Sequence, residues 1–197
     1  MDALKKIPKS ITFLLGMTVL TGVIYPAAVT LIAQLAFPAK ANGSLLVMNG
    51  EVRGSTLLAQ KFLSPRFFQA RPSATDYAYV GSGASNLGPV SSDLAKAVSD
   101  RSAAWRARFG APAPADMLYA SASGLDPDIS LEAALAQADL VASARGLGPV
   151  ARAALDAEIR GAAGQATTLV GPPRVNVVSL NALLETKAEF SSAPKGE

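Results

Sequence analysis

Residues 10–39 read SITFLLGMTVLTGVIYPAAVTLIAQLAFPA, and no side chain in the stretch is charged. About 20 predominantly apolar residues suffice for a helix to cross the roughly 30 Å hydrocarbon layer of a bilayer. This run is longer, which leaves room for tilt or for projection beyond the membrane. Pro26 lies inside it and removes one backbone donor, predicting a kink between Tyr25 and Val29. Thr18 and Gly22 stand one turn apart, where small side chains let a neighbouring helix come close. Lys5, Lys6 and Lys9 precede the run and only Lys40 follows it closely. That asymmetry places the N-terminus in the cytoplasm and everything after residue 40 outside. A cleaved signal peptide is the competing reading, with Ala39-Lys40-Ala41 as a small-x-small site. Its apolar core would be about twice the usual 7–15 residues.

The fold expected is therefore a single-pass N-terminal transmembrane helix followed by a small α+β (mixed α/β) extracytoplasmic domain. Residues 1–9 form the cytoplasmic N-terminus, 10–39 the span, 40–190 the globular body and 191–197 a disordered tail. Within the body, Asn49-Gly50 between Leu45-Leu46-Val47 and Val52-Arg53 predicts a hairpin. Residues 64–90 are broken repeatedly by Pro and Gly and predict a long irregular segment. A helix capped by Ser91 or Ser92 runs to about Phe109, with Leu94, Val98, Trp105 and Phe109 at near-helical spacing. Met117 to Ala122 reads as a strand. Asp128 or Ser130 caps a helix through about Ala144 that Gly146 closes. Pro149 starts another through about Arg160, and Val175-Asn176-Val177 leads into a last helix near Leu180 to Thr186.

Among 197 residues there is no cysteine and no histidine. This excludes disulfides, Cys/His zinc sites and any mechanism built on imidazole or thiolate. The net charge of +3 is mild, and basic and acidic residues nearly balance after the apolar run. The body thus has no electrostatic footprint for nucleic acid. There is no Walker-type phosphate loop, no Asp-Lys-Thr-Gly phosphorylation sequence and no Thr-Val-Gly-Tyr-Gly filter sequence. Lys61 and Lys96 lack the Ser-x-x-Lys spacing of a serine hydrolase. No catalytic residue and no metal site is assigned.

Three polar clusters remain. Phe67-Phe68-Gln69-Ala70-Arg71-Pro72-Ser73 either anchors a partner or fills the core, with Arg71 paired to a carboxylate. Residues 81–89, GSGASNLGP, offer either an anion-binding nest or a plain turn. In residues 121–130, SASGLDPDIS, Asp126 and Asp128 give too few oxygens for a good cation site, and capping explains Asp128 or Ser130 more simply.

These clusters, in this order, resemble the C subunit of the Kdp potassium-transporting ATPase, the KdpC family. The matching stretches are Arg71-Pro72-Ser73, Ser82 to Pro89 and Ser121 to Ser130. To them are added Gln137, Ala144-Arg145-Gly146-Leu147, Pro173 to Val177 and Leu180-Asn181. The likeness covers nearly the whole chain up to Glu185. Ala84 stands where the family often has a second glycine, and Asp128 where it usually has histidine. The resemblance implies a non-catalytic accessory subunit of an ATP-driven, high-affinity potassium importer in the bacterial inner membrane. Its partners would be the potassium-translocating A subunit, the ATP-hydrolysing B subunit and the small F peptide. It also implies a catalytic chaperone that raises the ATP affinity of the B subunit. By the same resemblance no cofactor is bound tightly, ATP is the ligand to expect, and its contacts would fall at Ser121, Ser123, Gly124 and Gln137. Gly22, Pro26, Phe67, Arg71, Asn86, Arg174 and Asn176 are candidate partner contacts. A domain outside the membrane cannot touch cytoplasmic ATP, so any effect on ATP would be a linkage carried through the membrane subunits. The alternative is a cap or assembly factor at the potassium entrance of the A subunit.

Overall fold

The computed structural model describes residues 2–165 and 171–190, and the side chains of residues 2–6 and 165 are not described. The expected tail at 191–197 lies outside the described residues. The chain forms two compact units, Met1–Ser55 and Thr56–Glu197.

The first unit is dominated by one helical rod: α1 (Asp2–Val19), a π-helical turn (Leu20–Ile24) and α2 (Tyr25–Ala36). Over Ile7–Ala36 the rod is long and apolar enough to cross a membrane, with a mean hydropathy of 1.8 in its best window. None of that window is buried against the rest of the chain. Its apolar side chains therefore need lipid or a partner helix as solvent. Pro26 acts one turn earlier than expected. Tyr25 N–H bonds back five residues to the Leu20 carbonyl, and α2 is regular beyond it. Proline's missing N–H and its ring both act on the carbonyl four residues before it, here Gly22, so the disturbance falls on the preceding turn.

Phe37, at φ −140°, ends the rod, and the four-residue α3 (Pro38–Ala41) follows. Gln34 and Asn42 exchange side-chain amide hydrogen bonds of 3.3 and 3.2 Å across this joint. The expected hairpin is present as β1 (Leu45–Met48) and β2 (Glu51–Ser55), antiparallel. Asn49 and Gly50 take φ of 53° and 81° at its turn, the left-handed pair that a tight two-residue hairpin demands.

In the second unit, residues 56–91 contain no helix or strand. There follow α4 (Ser92–Phe109), α5 (Ala115–Leu118), β3 (Asp128–Ser130), α6 (Leu131–Arg145), α7 (Pro149–Gln165), β4 (Arg174–Asn176) and α8 (Val177–Thr186). The strand expected over Met117–Ala122 is not formed. Pro114 and Asp116 open a single helical turn there, and Met117 is buried beneath it. Two helices exceed their expected bounds: α7 continues to Gln165 and α8 begins at Val177.

The ladder between β3 and β4 was not anticipated. Asp128 pairs with Asn176, Ile129 with Val175 and Ser130 with Arg174. Each strand runs straight into a helix, and its last residue caps that helix. Ser130 Oγ accepts from Ala133 N at 3.0 Å, and Asn176 Oδ1 from Ser179 N at 2.9 Å. This satisfies first-turn donors that would otherwise be orphaned. The inward ribbon residues, Ile129 and Val175, are fully buried with Phe68, Leu155, Ile159, Val177, Leu184 and Phe190. Small residues on α6, Ala133, Ala134, Ala138 and Ala142, let α7 pack close beside it.

Candidate functional site

At Gly124 two stretches of chain cross closely. It has φ +70°, and a Cβ there would lie 2.5 Å from Thr75 Oγ1 and 2.9 Å from the Gly83 carbonyl. Only glycine meets both demands. Around it, the Ser123 carbonyl accepts from Gly83 N at 2.9 Å and Ser82 Oγ at 3.0 Å. Ser121 N donates to the Pro72 carbonyl at 2.9 Å. Ser73 Oγ accepts from Thr75 N and Tyr77 N. The structure thus brings Ser121, Ser123 and Gly124 against residues 72–83. Ser123 Oγ is used locally, accepting from Leu125 N. The Ser121 hydroxyl is buried and makes no hydrogen bond among the described residues.

Gln137 sits differently. It is fully buried, and its amide closes a two-way clasp on one residue: Oε1 accepts from Gln69 N at 2.7 Å and Nε2 donates to Gln69 O at 3.1 Å. Asn181 does the same to the preceding residue, accepting from Phe68 N at 2.8 Å and donating to Phe68 O at 3.0 Å. Arg145 completes the set. Its Nε donates to Arg66 O at 2.7 Å, its other nitrogens to Leu184 O, Phe190 O and the Glu185 carboxylate. These three side chains supply to residues 66–69 the backbone partners that a sheet would supply. Gln137 and Ser121 thus hold Gln69 and Pro72, at most about 11 Å apart along the chain.

Asn181 and Arg145 were within the matching stretches but not singled out as site residues. The signal was in the pattern. Gln137, Val141 and Arg145 fall on one helical stripe with buried Ala134 and Ala138, and a polar residue on a core stripe needs a buried partner.

The remaining candidates fall in five places. Phe67 stacks near Phe62 and under the Arg145 guanidinium, 5.0 Å from its ring centroid. Arg71 is an ion-pair partner of Asp126 at 2.9 Å, both largely buried. Asp126 Oδ1 also accepts from Asp128 N, and Asp128 Oδ1 accepts from Asn176 Nδ2 at 3.0 Å. Asp126 and Asp128 therefore serve two separate contacts. Arg174 and Asn176 line a pocket of about 560 Å³ with Asp128, Glu158, Ser179 and Leu180. Asn86, at φ 53°, is exposed on the glycine-rich loop. Gly22 and Pro26 belong to the first unit, Gly22 in the π turn and Pro26 at the start of α2.

Comparison with known proteins extends over both units. The sequence model described as "KdpC: K+-transporting ATPase, c chain" matches residues 7–186. A protein of Burkholderia orbicola (strain MC0-3), named "Potassium-transporting ATPase KdpC subunit", is 46% identical over 175 residues, covering 86% of this chain and 90% of its own. Its namesake in Cereibacter sphaeroides (strain ATCC 17029 / ATH 2.4.9) is 45% identical over 87% of this chain and 92% of its own. That of Pseudomonas entomophila (strain L48) is 46% identical over 93% and 96%. With the match running from Ile7 in the apolar rod to Thr186 at the end of α8, the chain belongs to the KdpC family, the c chains of potassium-transporting ATPases.

Proposed function

We propose that this chain is a non-catalytic accessory subunit of an ATP-driven potassium importer. The rod anchors it, Lys5, Lys6 and Lys9 remain in the cytoplasm, and the body lies outside the bacterial inner membrane. Its partners are the A, B and F subunits of the pump. The observation that carries this reading is the unbroken family match across both the apolar rod and the body. A free-standing soluble protein would have no use for a rod whose Leu14, Ile32 and Leu35 are 63%, 64% and 77% exposed.

The geometry bears on how ATP affinity would be raised. In the family-derived site, Gln137 has its amide committed in both directions to Gln69, so it is a positioning residue for the 66–73 segment. Ser121 and Gly124 are buried as well, which leaves half-buried Ser123 as the family-derived residue within reach of a nucleotide. A body outside the membrane reaches ATP only through linkage with its membrane partners. The chaperone effect then takes the form of complex stabilisation, and a cap at the potassium entrance of the A subunit is the arrangement that suits it best.

Deletion of the chain is expected to abolish growth on micromolar potassium and the co-purification of the A and B subunits. Undiminished high-affinity uptake in the deletion strain would refute the accessory role.

A further inference from the structure

Side chains along the β3–β4 ribbon alternate between its two faces. Ile129 and Val175 are buried in the core, so Asp128, Ser130, Arg174 and Asn176 share the opposite face. On that face Arg174 stands diagonally across the ladder from Asp128, a separation that long side chains of opposite charge can close. These two do not pair. Asp128 turns one carboxylate oxygen to Asn176, accepting from its Nδ2 at 3.0 Å. The other oxygen and the whole Arg174 guanidinium have no hydrogen-bond or ion-pair partner among the described residues. Arg174 is half-buried. Arginine stays charged at any ordinary pH, so a half-buried guanidinium without a counter-ion leaves its paired donors open to a carboxylate.

Both charges line the cavity of about 560 Å³. Its other walls are small or apolar, with Gly161 and Ala162 on α7 and Leu180 and Leu183 on α8. Glu158 lines it too, but its carboxylate is already bound by Lys187. Apolar walls with a few placed polar groups, at this volume, are the make-up of small-molecule sites. We infer that this cavity binds a small zwitterion, a free α-amino acid with an apolar side chain. The ligand's carboxylate lies on Arg174, its ammonium on the open oxygen of Asp128, and its side chain against Leu180 and Leu183. The charges exclude other occupants. A phosphate would meet the Asp128 and Glu158 carboxylates for the sake of one free guanidinium. A metal ion would find no group of three His, Cys, Asp or Glu side chains among the described residues. A wholly apolar ligand would cut Arg174 and Asp128 off from water with nothing in exchange. The inference goes beyond the accessory role and does not depend on it.

The test is calorimetric titration of the full chain in detergent micelles with L-leucine. Two analogues separate the charges: 4-methylpentanoate lacks the ammonium and 3-methylbutylamine lacks the carboxylate. Leucine is expected to bind saturably with a Kd of about 1 mM or below, and each analogue about tenfold more weakly. Arg174→Gln and Asp128→Asn should each weaken leucine about tenfold, with the melting temperature of the ligand-free chain unchanged. Should Asp128→Asn loosen the ribbon, Arg174→Gln decides alone, since that guanidinium holds no other group among the described residues. No saturable heat with leucine up to roughly 20 mM would overturn the proposal. So would equal affinity for either analogue, or undiminished leucine binding by Arg174→Gln. The titration needs no pump subunit, so its failure leaves the accessory reading standing, and loss of that reading leaves the titration's outcome unaffected.

Discussion

Gly124 and Gly146 both have φ +70°, yet an added Cβ would strike Thr75 and Gly83 at Gly124 and nothing within 4 Å at Gly146. Gly146→Ala should therefore cost only the left-handed penalty, about 1 kcal/mol. Gly124→Ala adds overpacking and should cost about 2–4 kcal/mol. Urea unfolding of the two variants in detergent measures the difference, and equal losses would show that the crossing at Gly124 is not tight. Gln137→Ala removes both bonds to Gln69 and leaves a buried donor and acceptor, a loss of about 2–4 kcal/mol. The same unfolding measurement reads it. Any fall in the pump's ATP affinity in this variant should come with that loss of stability. Tyr77 titrates above its ordinary 10.0, chiefly because of burial and then because of the Asp76 carboxylate. The folded state thus holds the phenolic proton more tightly than the unfolded chain. That contribution is complete below about pH 10 and is lost as the pH rises through the raised value. Wild type should consequently destabilise more steeply than Tyr77→Phe above pH 10, and the two slopes should coincide near pH 7.

At the scale of elements, the π turn at Leu20–Ile24 carries one more residue than an α turn, which rephases α2 relative to α1 by about 100°. Pro26→Ala restores a donor for the Gly22 carbonyl. It should convert the Tyr25–Leu20 bond to an ordinary bond four residues back, seen in backbone amide shifts in micelles. An unchanged Tyr25 pattern would mean that the proline is not the cause. The helices of the body were legible because their punctuation is local: Ser91 and Ser130 begin helices and Gly146 ends one. Asn49-Gly50 was legible for the same reason. The β3–β4 ribbon was not, since two three-residue strands separated by over forty residues leave no periodicity to read. At Met117 the competing principle was helical: Pro114 and Asp116 start a turn that a short apolar run cannot distinguish from a strand. The clasps of Gln137, Asn181 and Arg145 show why the irregular 66–69 segment stays ordered. Helical side chains take the place of a neighbouring strand, and only the stripe pattern hints at it.

For the whole molecule, length and apolar composition sufficed to read the rod, and the order of weak motifs sufficed to read the family. The roles of individual site residues were less legible, because serine, glycine and glutamine look alike in sequence whether they face a ligand or the chain's own backbone. The side of the membrane that the body occupies decides whether ATP is within its reach. The chain has no native cysteine, so single-cysteine variants report cleanly. Ala104 is exposed on α4, and Ala3 lies among the N-terminal lysines. A membrane-impermeant maleimide applied to intact spheroplasts should label Ala104→Cys, and should label Ala3→Cys only after permeabilisation. Protection of Ala104→Cys until the membrane is opened would place the body in the cytoplasm and contradict the account.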